Sequence, residues 1–237
     1  VGAYATASEL RSSKGYTITD IQGVKVAFVA FTKGLGGRGM PAGNEDCVNL
    51  LYTDYASYYQ DVNKEKIDAV LKAVSAEKPD ITIAMLHWGS EYNDTVSASQ
   101  KKICSLMEEN GVDAVIGTHP HYLHSLSQDP ETGFFVAYSL GDFLGDAQRA
   151  GTEYSIILEL TVTRDNATGE TRLADYSYTP IFISTEGEAR VLRLQEAITA
   201  YENGYIDRVS QGEYEKMTYA LGRIEDRVIP EPTEEEE

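Results

Sequence analysis

The sequence predicts an α/β fold in which parallel strands alternate with helices. Three short runs, rich in apolar and β-branched residues, have the length of buried strands: residues 25–31, 81–86 and 112–116. Two segments with apolar residues at helical spacing, 63–77 and 97–110, separate these runs. Strands and helices that alternate through short connections are typical of a parallel sheet with right-handed crossovers. We therefore expect the three strands to share one sheet, with both helices on one face.

Both predicted helices carry signals for their faces and ends. The apolar face of the first helix consists of Ile67, Val70, Leu71 and Val74. The second helix opens on a capping-box pattern, in which Ser97 is followed three residues later by Gln100. It should end at Asn110-Gly111, because glycine just past a helix end readily takes positive φ.

The second half of the chain has an antiparallel pattern. Residues 154–163 alternate apolar and polar side chains, and residues 172–184 are rich in Tyr, Thr, Ile and Phe. A turn sequence joins them, which predicts a hairpin. From 191 to 227 the pattern becomes helical, with expected breaks at Gly204 and Gly212.

Composition limits the classes of partner. The chain has 237 residues, enough for one large or two small domains, and 42 % of them are hydrophobic, which rules out a wholly disordered chain. Its formal charge of −18 argues against nucleic acid and against anionic membrane surfaces as partners, and it favours metal cations. The longest unbroken apolar stretch, 26–31, is far shorter than the ~20 residues of a membrane helix.

The two ends of the chain differ from its middle. Residues 230–237 hold five glutamates and no apolar anchor, so we expect an acidic tail or linker there and a folded region over 1–229. The chain begins at Val1, with no charged-then-apolar leader after it, which indicates a processed product or a cut piece.

The cysteines allow one disulfide at most. Cys104 lies among apolar residues of the second predicted helix, which favours a buried free thiol, and its only companion is Cys47. The sequence contains no Cys-x-x-Cys pair, so a cysteine zinc site is excluded.

Two familiar catalytic loops are also not supported. Residues 33–61 form a long stretch without regular pattern, and its glycine-rich part, 34–39, lacks the Gly-Lys-Ser/Thr ending of a phosphate-binding loop. We interpret the glycine-rich part, 34–39, as a flexible loop. The chain has no Gly-x-Ser-x-Gly elbow, which argues against a serine hydrolase.

Histidines follow two strands of the predicted sheet. His87 comes directly after strand 81–86, and His119 and His121 come shortly after strand 112–116. Since the carboxyl ends of parallel strands converge on one edge, these side chains should lie together. Neutral imidazole is a preferred ligand of Zn, Mn or Fe, so a metal site is the favoured hypothesis over hydrogen-bonded structural histidines.

Three further polar residues have more than one interpretation. Glu91 is a metal ligand, a group that borders the histidines and orients an imidazole, or an ordinary surface residue. Asp142 either orients an imidazole or binds metal, or it forms a turn beside Gly141. His124 lies further into the loop, where a structural role is favoured.

Three linked motifs resemble a known family. They are His87-Trp88-Gly89-Ser90-Glu91, Gly117-Thr118-His119-Pro120-His121 and Tyr138-Ser139-Leu140-Gly141-Asp142-Phe143. In this order they resemble the bacterial capsule-synthesis (CapA-type) proteins, which include the poly-γ-glutamate synthesis protein of the cell surface. The resemblance covers residues 1–150 well and the remainder only generally.

That family is similar to the calcineurin-like metallophosphoesterases. The resemblance implies a layered αββα sandwich with a divalent-metal site (Mn, Zn or Fe) at strand ends. His87, His119 and His121 match histidine ligands of the family, whereas Asp142 stands where the family usually has Asn. Glu91 and Asp142 would border the site or face the substrate.

The family's earlier motifs supply an Asp, a Gly-Asp pair and an Asn-His pair, and none has a counterpart before His87. The resemblance therefore implies that residues 1–229 are the C-terminal two-thirds of the domain. Two-metal catalysis needs bridging carboxylates, so the metal site should be incomplete in this chain.

Three functions remain open from the sequence, and with them the question of whether the chain is an enzyme. The first is a surface protein of capsule or poly-γ-glutamate biosynthesis, with metal-dependent hydrolysis or transfer on a phosphoester or an anionic polymer. The second is a non-catalytic scaffold or binding subunit of the same fold. The third is a generic phosphomonoester or nucleotide phosphatase. The family's setting implies an extracytoplasmic, cell-surface location and membrane-bound capsule synthesis proteins as possible partners.

Overall fold

Nine strands and four helices occupy the residues that the computed structural model describes, namely 15–44, 47–145, 149–205 and 209–228. The strands are β1 (Tyr16–Ile21), β2 (Val24–Thr32), β3 (Ile81–His87), β4 (Ala114–Thr118), β5 (Leu126–Gln128), β6 (Phe135–Ala137), β7 (Tyr154–Arg164), β8 (Thr171–Ser184) and β9 (Arg190–Arg193). The helices are α1 (Lys64–Ala76), α2 (Ala98–Glu109), α3 (Leu194–Glu202) and α4 (Gln211–Val228).

A mixed six-stranded sheet organises the first half of the chain. Its order is β1-β2-β3-β4-β6-β5. The four central strands run parallel, and the edge strands β1 and β5 run antiparallel to their neighbours. The prediction that segments 25–31, 81–86 and 112–116 share one sheet is confirmed, since they correspond to the adjacent strands β2, β3 and β4.

The strand β4 begins two residues later than the sequence predicts. Val112 is occupied in closing α2, because its N–H donates to the carbonyl of Met107 at 3.1 Å. Asp113 then links β4 to β3, since its carboxylate accepts a 2.7 Å bond from the N–H of Thr82. Residues 112 and 113 therefore serve the turn between helix and strand.

Helices α1 and α2 cover one face of this sheet, as predicted. Their caps follow the sequence signals: Asn63 caps α1 through the N–H of Lys66, and Ser97 and Gln100 form a reciprocal capping box on α2. The apolar face of each helix packs on inward side chains of β2 and β3 in one buried cluster. The helix residues of this cluster are Ile67, Val70, Leu71, Val74, Ile103, Cys104, Leu106 and Met107.

A second sheet and the last two helices lie against the other face. Strands β7, β8 and β9 are consecutive and antiparallel, which confirms the predicted hairpin. Phe135 of β6 contacts Tyr176 of β8 with ring centroids 4.8 Å apart. This second buried cluster also includes apolar residues of α3 and α4: Leu194, Ile198, Met217, Ala220, Ile224 and Val228. The predicted mixed α/β fold with two layered sheets is confirmed.

The C-terminal third departs from its predicted helical pattern. Residues 190–193 form β9, because they pair with the end of β8 and Ser184 lies opposite Arg190. The predicted break at Gly212 is wrong, since α4 begins at Gln211 and runs through it. A glycine in the first turn is tolerated because the first four N–H groups of a helix make no intrahelical bond.

Both cysteines are free thiols. Cys104 is buried, as predicted, and burial raises the pKa of its thiol to about 12. At neutral pH it is therefore a protonated, unreactive core residue.

Two of the sequence-based expectations concern the end of the chain. The acidic tail 230–237 lies outside the described residues, and the assignment of 1–229 to part of a larger domain stays a prediction. Within the described ranges, no helix combines the length and apolar character needed to cross a membrane.

Gly111 takes the left-handed conformation that its place after α2 predicts, with φ of 78°. A Cβ atom there would meet nothing within 4 Å, so only the backbone conformation penalises a side chain. Gly111→Ala should lower the free energy of unfolding by about 1–2 kcal/mol, measured by urea denaturation.

Gly222 supplies a matched control for that substitution. It is exposed in the middle of α4, has no contact at its Cβ position, and its φ is not positive. Gly222→Ala should raise the unfolding free energy by about 0.5–1 kcal/mol. Equal effects of the two substitutions would contradict the conformational explanation.

Candidate functional site

The histidines that the sequence singled out, His87, His119 and His121, lie at the carboxyl edge of the parallel strands. We call this part of the protein the histidine edge. His87 is the last residue of β3 and lies opposite Thr32 of β2 and Thr118 of β4. His119 and His121 follow β4 directly. The sheet therefore brings together residues that are more than thirty positions apart in the sequence.

His87 and His119 form a close pair. Their ring centroids are 4.3 Å apart, with the planes tilted by 46°. Nδ1 of His87 lies 3.0 Å from Oγ1 of Thr32, and this hydroxyl donates its proton to the carbonyl of Gly34. When the Thr32 hydroxyl donates to Gly34, Nδ1 of His87 is the donor in the contact with Thr32, and the lone pair of its Nε2 is then available.

His121 is held from two sides. Its ring stacks on Tyr92 with centroids 4.8 Å apart and planes 10° from parallel. Its Nδ1 lies 2.9 and 3.0 Å from the two carboxylate oxygens of Asp142. Asp142 is itself fixed, because its carbonyl accepts a 2.6 Å bond from the hydroxyl of Ser155. An imidazole that donates Nδ1–H to a carboxylate presents Nε2 outward, as in many metal-binding histidines.

The backbone between these histidines is strained. His119 has φ of 100° and His121 has φ of 64°, with Pro120 between them. Such conformations cost about 1–3 kcal/mol in a residue with a side chain and concentrate at functional sites. The surrounding packing therefore imposes the positions of both rings.

Trp88 and Gly117 provide much of that packing. Trp88 is fully buried, donates its indole N–H to the carbonyl of Tyr138 at 2.9 Å, and stacks on the Tyr138 ring. A Cβ atom at Gly117 would overlap both the Tyr138 carbonyl and the Trp88 indole nitrogen. Trp88 and Gly117 have no separate role in the sequence-based prediction, because no local pattern reveals such a close approach.

Two cations reach this edge that sequence reasoning missed. The ammonium of Lys33 donates to the carbonyl of Gly89 and lies 4.4 Å from the centre of the Tyr59 ring. The guanidinium of Arg149 lies 3.8 Å from the centre of the Tyr92 ring. Lys33 lies in the long loop and Arg149 after the last motif, so neither stands out in the sequence.

The histidine pair is held in the neutral state. Burial first, then repulsion between protonated forms of His119 and His87 and the charge of Lys33, lowers the pKa of His119 to about 4. The pKa of His87 is also lowered, first by burial and then by Lys33. Neutral imidazoles are the form that donates a lone pair to a metal.

The other two candidates occupy different environments. Glu91 is exposed. Burial lowers the pKa of Lys33, and the negative charge of Glu91 partly offsets this lowering. His124 is buried, and its Nε2 lies 2.9 Å from the carbonyl of Asn93.

The residues present fit a metal ion only in part. Imidazole nitrogen suits Zn²⁺ or Mn²⁺, and two of the rings are oriented by hydrogen bonds at Nδ1. Within the described part of the chain, however, no three histidine, cysteine or carboxylate side chains are placed to hold a metal together. Metal binding by His87, His119 and His121 therefore stays a prediction.

The comparisons with known proteins identify the family. Residues 1–147 match the family described as bacterial capsule synthesis protein PGA_cap. The chain belongs to this family, which confirms the resemblance read from the three motifs.

Two curated relatives are similar to this PGA_cap protein. The PGA biosynthesis protein CapA of Bacillus subtilis (strain 168) is 27 % identical over 183 residues, which cover 77 % of this chain and 42 % of that protein. The capsule biosynthesis protein CapA of Bacillus anthracis is 33 % identical over 107 residues, covering 43 % of this chain and 25 % of that protein. The chain spans less than half the length of these relatives.

Two solved structures are similar to this chain at low TM-scores. The calcineurin-like phosphoesterase YfkN of Bacillus subtilis has a TM-score of 0.41 and 15 % identity, covering 87 % of this chain and 58 % of that one. A novel phosphatase from Mycoplasma pneumoniae has a TM-score of 0.41 and 13 % identity, covering 71 % of this chain and 57 % of that one. Similarity at this level says nothing about the chemistry of the histidine edge.

The neutral state of His119 can be tested by NMR titration of the imidazole nitrogens in the presence of a chelator. The ring should stay neutral until about pH 4. Lys33→Gln should raise the pKa of His119, because it removes a nearby positive charge. Lys78→Gln removes the same charge beyond the amino end of β3 and should leave the pKa unchanged. A normal histidine pKa in the unmodified protein would contradict the buried geometry.

The close approach at Gly117 predicts a large steric effect. Gly117→Ala should lower the free energy of unfolding by about 1–3 kcal/mol, because the new methyl group overlaps Trp88 and Tyr138. Gly39→Ala, which meets no atom within 4 Å, should change it little. Thermal or urea unfolding of both variants checks this, and a stable Gly117→Ala protein with unchanged tryptophan fluorescence would refute it.

Proposed function

We propose that this capsule-synthesis protein carries a metal-dependent hydrolase site at the carboxyl edge of β3 and β4. The observation that carries the proposal is the orientation of two imidazoles. Nδ1 of His87 contacts the Thr32 hydroxyl and Nδ1 of His121 contacts Asp142, so in both rings Nε2 is the nitrogen left for a metal ion. Structural histidines need no such common orientation, whereas metal ligands do.

Each residue has a defined part in this proposal. His87, His119 and His121 are the protein ligands, and low pKa values keep the first two unprotonated at neutral pH. Asp142 fixes the tautomer of His121. Orienting an imidazole is one of the roles that the sequence suggested for Asp142. A divalent cation bound here would act as a Lewis acid and lower the pKa of a coordinated water.

The remaining ligands are proposed to come from outside this chain. Three imidazoles bring no negative charge, and a cation or a pair of cations needs carboxylates to offset its charge. The curated relatives are more than twice as long as their matched regions. We therefore treat residues 1–229 as the part of a larger domain that supplies its histidine ligands.

The proposed substrate is an anion, either a phosphoester or an anionic polymer of the capsule. The protein as a whole is strongly acidic and would repel such a substrate. Two positive charges lie near this edge: Lys33 acts on His87 and His119, and Arg149 lies on Tyr92, whose ring stacks on His121. Work on a surface polymer would place the protein outside the cytoplasm, with membrane-bound capsule synthesis proteins as partners.

The alternative function is a non-catalytic scaffold or binding subunit. It is favoured by one observation, that no three potential ligands within the described residues are placed to hold a metal. In that case the histidine edge would serve only to bind the polymer or a partner protein.

Calorimetric titration with Zn²⁺ and Mn²⁺ separates these functions. We expect weak binding by this chain, reduced at least tenfold by His87→Ala or His119→Ala. His124→Gln is the control, because His124 lies in the core and glutamine keeps a donor toward the Asn93 carbonyl. If all variants bind the metals equally, the metal site is wrong and the scaffold function is preferred.

Activity should be tested on a longer protein that contains this chain. Bis(p-nitrophenyl) phosphate and purified poly-γ-glutamate, each with and without Mn²⁺, report phosphodiesterase and polymer cleavage. Turnover of either that is abolished by His119→Ala supports the proposal. Turnover confined to p-nitrophenyl phosphate or nucleotides would indicate a generic phosphatase instead.

A further inference from the structure

A second pocket, of about 240 Å³, opens where the end of β8 meets the start of α4. None of the residues of the histidine edge lines it. Its walls carry three carboxylates, Glu153, Glu186 and Glu213, and one ammonium group, that of Lys216. Nothing in the proposed function uses this pocket.

Glu213 is the unusual member of the pocket. Its side chain is only 2 % exposed, and its Oε2 is buried without any hydrogen-bond partner within the described structure. Buried carboxylate oxygens in folded proteins are almost always hydrogen-bonded or paired with a cation. The pocket in front of Glu213 is therefore a place where a cationic partner would be stabilised.

The helix cap does not account for this carboxylate. Ser210 and Glu213 have the spacing of a capping box, and the N–H of Glu213 does donate to Oγ of Ser210 at 3.1 Å. The Ser210 hydroxyl then donates to Glu186 at 2.7 Å. The reciprocal bond, from the Ser210 N–H to the Glu213 carboxylate, is not formed among the described residues, so the helix cap leaves Oε2 of Glu213 without a hydrogen-bond partner.

The charge of the pocket selects a cation. Glu153 accepts a bond from the N–H of Gly151, and Glu186 accepts one from Ser210. Each ionised carboxylate has about four lone-pair sites, so both retain acceptor capacity. Three carboxylates against one ammonium group leave the pocket negative.

The spacing of these carboxylates argues for an organic cation rather than a metal ion. In the described part of the protein, no three carboxylates converge closely enough to coordinate a metal. An ammonium group bonds through three separate hydrogens at about 2.7–2.9 Å, so its acceptors can lie further apart. Phe182 and Ile183 also line the pocket and offer apolar surface to an alkyl chain.

We propose that this pocket binds an aliphatic ammonium ion, such as the end of a diamine, with Glu213 as the main acceptor. The alkyl chain lies along Phe182 and Ile183, and the ammonium group bonds to Glu213 and to the carboxylates at the pocket mouth.

Calorimetry and thermal unfolding with putrescine (1,4-diaminobutane) test the proposal on the full 237-residue chain. Putrescine should raise the melting temperature, and Glu213→Gln should weaken its binding at least tenfold. The control is Glu215→Gln, which removes the same charge from the same helix. Glu215 is exposed and accepts a bond from Gln211, so its replacement should change putrescine affinity less than twofold.

Lys216→Gln gives a second measurement that does not depend on a buried substitution. It removes the positive charge already in the pocket, and putrescine affinity should increase at least threefold. Nα-acetyl-lysine methylamide then distinguishes the source of the ammonium group. If this compound binds as tightly as putrescine, the proposal is supported and the occupant is a lysine side chain of a partner. If putrescine binds more tightly, the proposal is supported and the occupant is a free amine.

Several results would overturn the proposal. These are no binding of either amine, equal binding by the protein with Glu213→Gln, or a shift in melting temperature with Ca²⁺ or Mg²⁺ but not with putrescine.

Discussion

The close contact of Gly117 with Tyr138 and Trp88 is the constraint on which the histidine edge depends. It joins the ends of β3 and β4 to the segment after β6, and so fixes three stretches of chain that are far apart in sequence. The contact requires glycine because any Cβ atom would overlap backbone and indole atoms. His87 is next to Trp88 in the chain and His119 lies two residues after Gly117, so this packing constrains the backbone that carries both histidines.

Electrostatic interactions also constrain the histidine edge. Burial keeps His87 and His119 neutral, and the nearby positive charge of Lys33 acts in the same direction. The positive-φ conformations of His119 and His121 show that the fold bears a conformational cost to place these rings. The chain belongs to the capsule-synthesis family, and the constrained histidines of this edge are the site proposed for it above.

The pocket at Glu213 differs from the histidine edge in the kind of evidence that reveals it. The histidines form a recognisable pattern of motifs, whereas Glu213 looks like an ordinary capping residue beside Ser210. Its burial and its unpartnered oxygen arise because β8 and the start of α4 meet there. The two proposed sites therefore differ in chemistry, one with neutral nitrogen donors and one with carboxylates.

Local patterns in the sequence were sufficient to predict the helices α1 and α2 and the arrangement of β2, β3 and β4 in one sheet. The three motifs were sufficient to identify the family. Helical spacing, capping residues and strand-like apolar runs are properties of neighbouring residues, and parallel pairing follows from their alternation. The same reasoning placed the histidines at one edge, since strand ends of a parallel sheet converge there. It also marked Asp142 as a group that could orient an imidazole.

The short strands and the positions of several charged side chains depend on the tertiary structure alone. The short strands β5 and β9 form because of the strands that they pair with, and β9 therefore replaced a predicted helical start. Lys33 and Arg149 reach the histidines from a loop and a turn whose course depends on contacts far along the chain. The burial of Glu213 likewise depends on how two distant elements pack. Local sequence determines which elements form, but the distances between side chains of different elements depend on how those elements pack together.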